Sequence, residues 1–220
     1  MEQILAEKIS KELKIDITQV VREYWEIVFL KELLESPYGK YLVFKGGTAL
    51  RLVYGSPRFS EDLDFSLSKD ALKGGLSSLV EKIVSPYPEA IVTDVAEKFY
   101  TYLSEIKITQ GYLPVPFRIK IEISRRAERD YAFELRLVAS ATSPLQVLGN
   151  VATLNQLYRD KLACIEDRIA PKDLFDLWFL CQKMKMPYAP PRTVVTKKVL
   201  IQELRKYLPT NYWNVIEELL

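Results

Sequence analysis

Asp62 and Asp64 are the residues whose types and spacing point most directly to chemistry. They lie in Asp62-Leu63-Asp64-Phe65-Ser66-Leu67, which alternates polar and apolar side chains as a half-buried strand does. Successive strand side chains point to opposite faces, so Asp62, Asp64 and Ser66 are expected on one face and Leu63, Phe65 and Leu67 on the other. Two carboxylates held side by side repel unless they are well solvated or share a cation. Mg²⁺ takes hard oxygen ligands, commonly one or two carboxylates plus substrate phosphates. The pair suits a metal–nucleotide site; an ordinary solvated strand face would carry the same pattern.

Two further segments extend this reading. In Phe117-Arg118-Ile119-Lys120-Ile121-Glu122-Ile123-Ser124 the odd positions form an apolar face and the even ones a polar face. If this strand neighbours the first, Glu122 can join the aspartates, and three carboxylates on two strands can hold two metal ions for in-line phosphoryl transfer. A half-exposed antiparallel strand with cross-strand ion pairs carries the same pattern. Gly46-Gly47-Thr48 then enters a helix. Glycines let the backbone approach a phosphate, and a helix N-terminus presents free N–H groups to it. A tight turn with Thr48 as helix cap explains the same residues. The chain has no histidine, which excludes Ser-His-Asp and Cys-His catalysis and any His-ligated zinc.

The elements that must position these groups follow from periodicity. Residues 2–14 predict a helix with Ile4, Leu5, Ile9 and Leu13 on one side, and Asp16 or Thr18 caps a second helix reaching about Leu34. Ser36-Pro37-Tyr38-Gly39 is a turn, Tyr41–Phe44 a short apolar run, and Thr48–Tyr54 a helix broken by Gly55-Ser56-Pro57. A helix is expected over 70–85 and strands over 100–108, 117–124 and 132–139. Helices follow from Thr153 to about Arg168, from Lys172 to Lys183, and near 194–207 and 210–219 beyond the Pro-rich stretch 186–191. The order predicts an α+β fold with a mixed sheet: a core with N-terminal helices over residues 1–150 and a helical C-terminal lobe over 151–220.

With 220 residues, 48% of them hydrophobic, the chain can bury one substantial core. A net charge of +2 does not by itself demand a nucleic-acid partner. Cys164 and Cys181 lie in apolar helical runs and read as buried small hydrophobes in a reducing compartment. The charged N-terminus is not a secretory signal and no apolar run is long enough to span a bilayer, so a soluble cytoplasmic protein is expected.

Phe44-Lys45-Gly46-Gly47-Thr48-Ala49-Leu50-Arg51, followed by Arg58-Phe59-Ser60-Glu61-Asp62-Leu63-Asp64-Phe65, resembles the first motif of the AbiEii-type nucleotidyltransferases. These are toxins of type IV toxin–antitoxin and abortive-infection systems, within the DNA polymerase β-like superfamily. The resemblance extends to Asp160-Lys161-Leu162-Ala163, Arg168 and Lys172-Asp173-Leu174-Phe175-Asp176, and covers roughly residues 40 to 181. Asp160 stands where the family usually has glutamate, and Glu122 where aspartate is commoner. The resemblance implies a polymerase-β-like core and Mg²⁺ (Mn²⁺ as an alternative) at Asp62, Asp64 and Glu122. It implies nucleotide binding by Gly46, Gly47, Thr48, Arg51, Arg58, Ser60 and Lys161. Asp173 or Asp176 would orient the base, ribose or acceptor. It also implies an NTP substrate, an RNA acceptor with tRNA the first choice, and an antitoxin partner; no membrane is involved.

Several of these residues have plainer readings. Lys161 borders the stripe Leu154, Tyr158, Leu162, Ile165 and Ile169 and would snorkel from a core edge. Asp173 and Asp176 would complement the dipole of a helix apolar nearly all round. Two basic sets, Arg125, Arg126 and Arg129, and Arg192, Lys197, Lys198, Arg205 and Lys206, can position an RNA backbone or form solvated faces. The rival functions are a non-catalytic nucleotide-binding or interaction protein, a protein-modifying nucleotidyltransferase, and a phosphohydrolase using the same metals.

Overall fold

The computed structural model of the chain describes residues 1–220 apart from 70, 71, 73, 127–129, 192–194 and 220. Helix α1 (Gln3–Leu13) ends at Lys14, whose φ of 56° reverses the chain. Ala6 and Ile9 are its buried residues; Ile4 and Leu5, expected on the inner stripe, are exposed. Asp16 opens α2 (Ile17–Leu34) by accepting the Thr18 N–H through Oδ1 at 2.8 Å, the capping geometry the sequence predicts. A 3₁₀ turn (Gly39–Tyr41) leads to β1 (Leu42–Lys45), which runs directly into α3 (Gly46–Leu52). That helix begins two residues before Thr48, so Thr48 lies within its first turn and is not its cap.

The remaining strands are β2 (Asp62–Leu67), β3 (Ala90–Glu97), β4 (Thr101–Ile108), β5 (Phe117–Ser124), β6 (Phe133–Ser140) and β7 (Ser143–Ala152). They form a mixed seven-stranded sheet in the order β3-β4-β5-β2-β1-β7-β6. The β2–β5 and β1–β7 pairs are parallel and the others antiparallel. Helix α4 is Leu76–Val84, shorter than the expected 70–85; residues 70, 71 and 73 lie outside those described. Strands β3 and β7 have no counterpart in the periodicity reading: β3 carries a register irregularity between Val92 and Asp94, and β7 holds Pro144 and Gly149. Helices α5 (Leu154–Asp167), α6 (Pro171–Lys183) and α7 (Lys197–Leu204) and a 3₁₀ segment (Thr210–Leu219) complete the chain.

Helix α2 packs on β7, β6, β2 and β5, and α4 on β3 and β4. Phe29, Leu30, Leu33, Phe44, Leu63, Phe65, Ile119 and Ile123 form one fully buried cluster there. Each such side chain contributes about 1.5–3 kcal/mol of burial. Leu174, Phe175, Leu180, Leu200 and Leu204 of the C-terminal helices join the same cluster. Burying Leu63 and Phe65 under α2 forces Asp62 and Asp64 to the opposite face, toward α5 and α6. Helix α5 is thinly buried, with Gln156 and Leu157 inside and Leu162 and Cys164 exposed. The buried reading of Cys164 is therefore corrected, whereas Cys181 is buried. Among the described residues no helix is long and apolar enough to cross a membrane.

Candidate active site

The register of β2 against its two neighbours assembles the site. Asp64 pairs with Lys45 on β1 and with Glu122 on β5, while Asp62 pairs with Lys120. The strand bearing Glu122 does lie beside the strand bearing the aspartates, so all three carboxylates share one face. Above them is a cavity of about 290 Å³, closed from the far side by Leu157, Asp160, Lys161 and Cys164 of α5 and by Lys172, Asp173 and Asp176 of α6. Six acidic side chains (Asp62, Asp64, Glu122, Asp160, Asp173, Asp176) face six cationic ones (Lys45, Arg58, Lys120, Lys161, Arg168, Lys172).

Burial raises the Asp64 carboxyl to about 6, with Asp62 and Glu122 adding repulsion that Lys45 and Lys161 only partly offset. Burial also raises Asp62, against the pull of Lys172 and Lys120. A pair of hard oxygen donors with this unrelieved like charge is the environment a divalent cation relieves. The donor set therefore fits Mg²⁺ at Asp62 and Asp64. Glu122 is engaged otherwise: its Oε2 lies 2.5 Å from Lys120 Nζ. Among the described residues no three acidic or cysteine side chains converge on one point, so the third ligand position is not closed by Glu122 here.

The Gly-Gly turn is packed against these acids. Gly46 has φ of +76°, and a Cβ there would overlap the Asp64 carboxylate. A Cβ on Gly47 would overlap the Arg58 guanidinium and crowd Ser60 Oγ. Gly46, Gly47, Arg58 and Ser60 all line the cavity. Thr48 and Arg51 do not: Thr48 is fully buried and donates its hydroxyl to the Asp62 carbonyl. Arg51 Nε donates to Glu23 Oε2 at 2.7 Å, and its Nη1 reaches the Ser56 and Pro57 carbonyls at 3.2 and 3.3 Å. These two residues fix the loop that delivers Asp62.

Arg58 and Lys161 are held by the two aspartates of α6. Arg58 Nε and Nη2 donate to Asp176 Oδ1 and Oδ2 at 2.7 and 2.8 Å, with 3% and 1% of the two side chains exposed. Lys161 Nζ lies 2.9 Å from both Asp173 Oδ1 and Asp176 Oδ2. Burial opposes the Lys161 charge, but Asp176 and Asp173 outweigh it and hold the ammonium protonated. Burial would raise Asp176 too, yet Arg58 and Lys161 keep it ionised. Asp160 is tied to Tyr131 Oη at 2.5 Å and Gln156 Nε2 at 2.8 Å.

Sequence reasoning passed over Lys45, Lys120 and Lys172 as site cations and Glu61 as a junction. Lys45 and Lys120 show as the register partners of the aspartates only once strand pairing is known. Glu61 binds Arg22 Nη1 at 2.5 Å, Tyr207 Oη at 2.6 Å and Lys172 Nζ at 3.5 Å, tying α2, α6 and the segment after α7 to the residue preceding Asp62. Burial opposes its ionisation, but the Tyr207 hydrogen bond and Arg22 hold the Glu61 carboxyl below its ordinary value. Of the basic sets, Lys197 and Lys206 pair with Glu217 and Glu203 and Arg205 stacks on Trp213, so these cations are used inside the C-terminal lobe. Arg129 and Arg192 lie outside the described residues.

Comparison with known proteins shows the family of the chain. The profile of the family described as nucleotidyl transferase AbiEii toxin, type IV TA system, matches residues 28–210. No curated protein matches the sequence. Among solved structures, JHP933 from Helicobacter pylori is similar at 25% identity, with a TM-score of 0.57 over 76% of this chain and 68% of that one. MenT4, a nucleotidyltransferase toxin from Mycobacterium tuberculosis, shares the fold at 20% identity, with a TM-score of 0.55 over 84% of this chain and 62% of its own. Paired aspartates on a central strand, a glycine turn packed against them and a profile match over most of the length agree: the chain belongs to the AbiEii nucleotidyltransferase toxin family of type IV toxin–antitoxin systems.

Proposed function

We propose that this nucleotidyltransferase moves a nucleoside monophosphate from an NTP to the 3′-terminal hydroxyl of an RNA, a tRNA in the first instance, with Mg²⁺ held by Asp62 and Asp64. The observation that carries the reading is that two cavities of different character meet at Asp62. The first is the glycine- and carboxylate-lined cavity beneath α5 and α6. The second, about 490 Å³, opens on the other side of Asp62 and is lined by Arg22, Lys107 and Arg118 beside Glu61 and Phe117. Arg22 is 8% exposed and its Nε has no hydrogen-bond partner among the described residues. Cations lining a surface groove suit the phosphates of a nucleic-acid strand. The NTP occupies the first cavity and the acceptor end enters through the second, so that both reach Asp62.

Gly46 and Gly47 admit the triphosphate to the backbone, and Lys45, Lys172 and Arg168 meet its charge. The cation supplies charge neutralisation on the phosphates when bound. The acceptor oxygen attacks the α-phosphorus, the bond to the bridging oxygen breaks, and pyrophosphate leaves. Glu122, on a strand that borders both cavities, takes the hydroxyl proton on the carboxylate oxygen that Lys120 does not hold.

The test is transfer of α-labelled nucleotide to total tRNA with Mg²⁺, beside the Asp62→Ala, Asp64→Ala double variant. Label that needs the aspartates supports the reading and names the nucleotide; absence of label on any RNA overturns the RNA acceptor. Lys107→Ala with Arg118→Ala is expected to raise KM for RNA by about tenfold and flatten its salt dependence, leaving KM for the NTP unchanged. An unchanged KM for RNA would remove the second cavity from the acceptor path.

A further inference from the structure

The edge of the sheet far from the second cavity alternates apolar and charged residues symmetrically about Leu135, with opposite charges on its two sides. Strand β6 is the last strand on that side and pairs with β7. Its first five residues are Phe133-Glu134-Leu135-Arg136-Leu137. Phe133, Leu135 and Leu137 share a face and are 43%, 63% and 53% exposed; Leu148, the register partner of Leu137 on β7, is 59% exposed. Glu134 and Arg136 lie on the other face, joined at 2.9 Å. Free edges are usually blunted by lysine, proline or a cover. Residues 133–140 contain neither lysine nor proline, and the apolar stripe lies along the open edge.

We propose that β6 pairs antiparallel with β6 of a second copy of this chain, centred on Leu135. In that register Leu135 meets the second copy's Leu135, Phe133 meets its Leu137, and Glu134 meets its Arg136, the last two contacts each made twice by symmetry. Cross-strand partners point to the same face, so the apolar stripe becomes continuous and every charge faces its opposite. Neighbouring registers fail. Centring on Glu134 or on Arg136 sets like charges together on the axis, and a one-residue slip turns the two stripes to opposite faces. The two-fold axis stands perpendicular to the sheet, so both catalytic faces look the same way.

The experiment is the solution mass of the full chain by light scattering across a dilution series. Wild type is expected to approach twice 25.5 kDa at the concentrated end. Glu134→Arg and Arg136→Glu are each expected to be monomeric, with circular dichroism unchanged. Mixed in equal amounts they are expected to recover the dimer, because each then offers the charges the other lacks. Leu135→Lys should stay monomeric alone. A wild type that is monomeric throughout overturns the proposal. So does a dimer that the single variants leave intact, or a mixture that stays monomeric.

Discussion

Asp64 carries a conflict between folding and chemistry that can be measured. Its folded carboxyl sits near 6 against an ordinary 3.8, so the folded state holds the proton more tightly than the unfolded chain does. Stability of the metal-free protein therefore falls as pH rises through that window, by about 2–3 kcal/mol in total. Asp64→Asn is expected to raise the melting temperature of the metal-free protein at neutral pH and to abolish transfer. Added Mg²⁺ should stabilise the wild type and leave the variant unmoved. A variant that melts lower than wild type without metal would refute the assignment. Gly47→Ala tests the turn in the same way: its methyl must displace the Arg58 guanidinium. A loss of about 1–3 kcal/mol in thermal denaturation, with loss of NTP binding, is expected. Both residues were legible because the motif is local: Gly46 to Asp64 is one short stretch whose spacing survives without knowledge of the fold. Lys45 and Lys120 were not, since nothing local says which strand will lie beside β2.

At the scale of elements, α6 reaches across through Asp176 to the loop that delivers Asp62, and the Arg58 pair spans 118 positions of sequence. Its helical run was predictable from its apolar residues, and so was the need of its buried acids for partners; the identity of those partners was not. Asp176→Ala leaves Arg58 buried and uncompensated, so a loss of about 3–5 kcal/mol is expected by chemical denaturation. Asp173→Ala, which leaves Lys161 with Asp176, should cost distinctly less. The Glu61 junction adds a pH signature. Because its folded carboxyl lies below the ordinary 4.5, its contribution is complete above that value and fades as pH falls through the lowered one. Glu61→Gln should flatten this acid limb of the stability curve and, by loosening Arg22, Tyr207 and Lys172 together, weaken transfer. An acid limb identical to wild type would show that the junction is not coupled to folding. Strands β3 and β7 escaped periodicity for physical reasons: β3 is half-exposed at an edge with an irregular register, and β7 combines a proline and an interior glycine with an exposed Leu148 that breaks the polar pattern of its solvent side.

At the scale of the molecule, two strand pairs, β2–β5 and β1–β7, join strands far apart in sequence, and the first of them assembles the site. Strand β2 lies between β1, which precedes it, and β5, which follows some fifty residues later; β1 in turn waits for β7. The parallel pairs Val43–Asn150 and Asp64–Glu122 close long loops before they yield contacts, which predicts slow folding for a chain of this size. A ribosome making this protein has therefore exposed the glycine turn and both aspartates long before any working cleft can exist. Asp176 must emerge before Arg58 has its counter-charge, and Tyr207 before Glu61 has its hydroxyl. The motif is synthesised 118 to 146 positions ahead of these supports, and a nascent chain that has not reached them lacks the contacts that hold Arg58 and Glu61 in place.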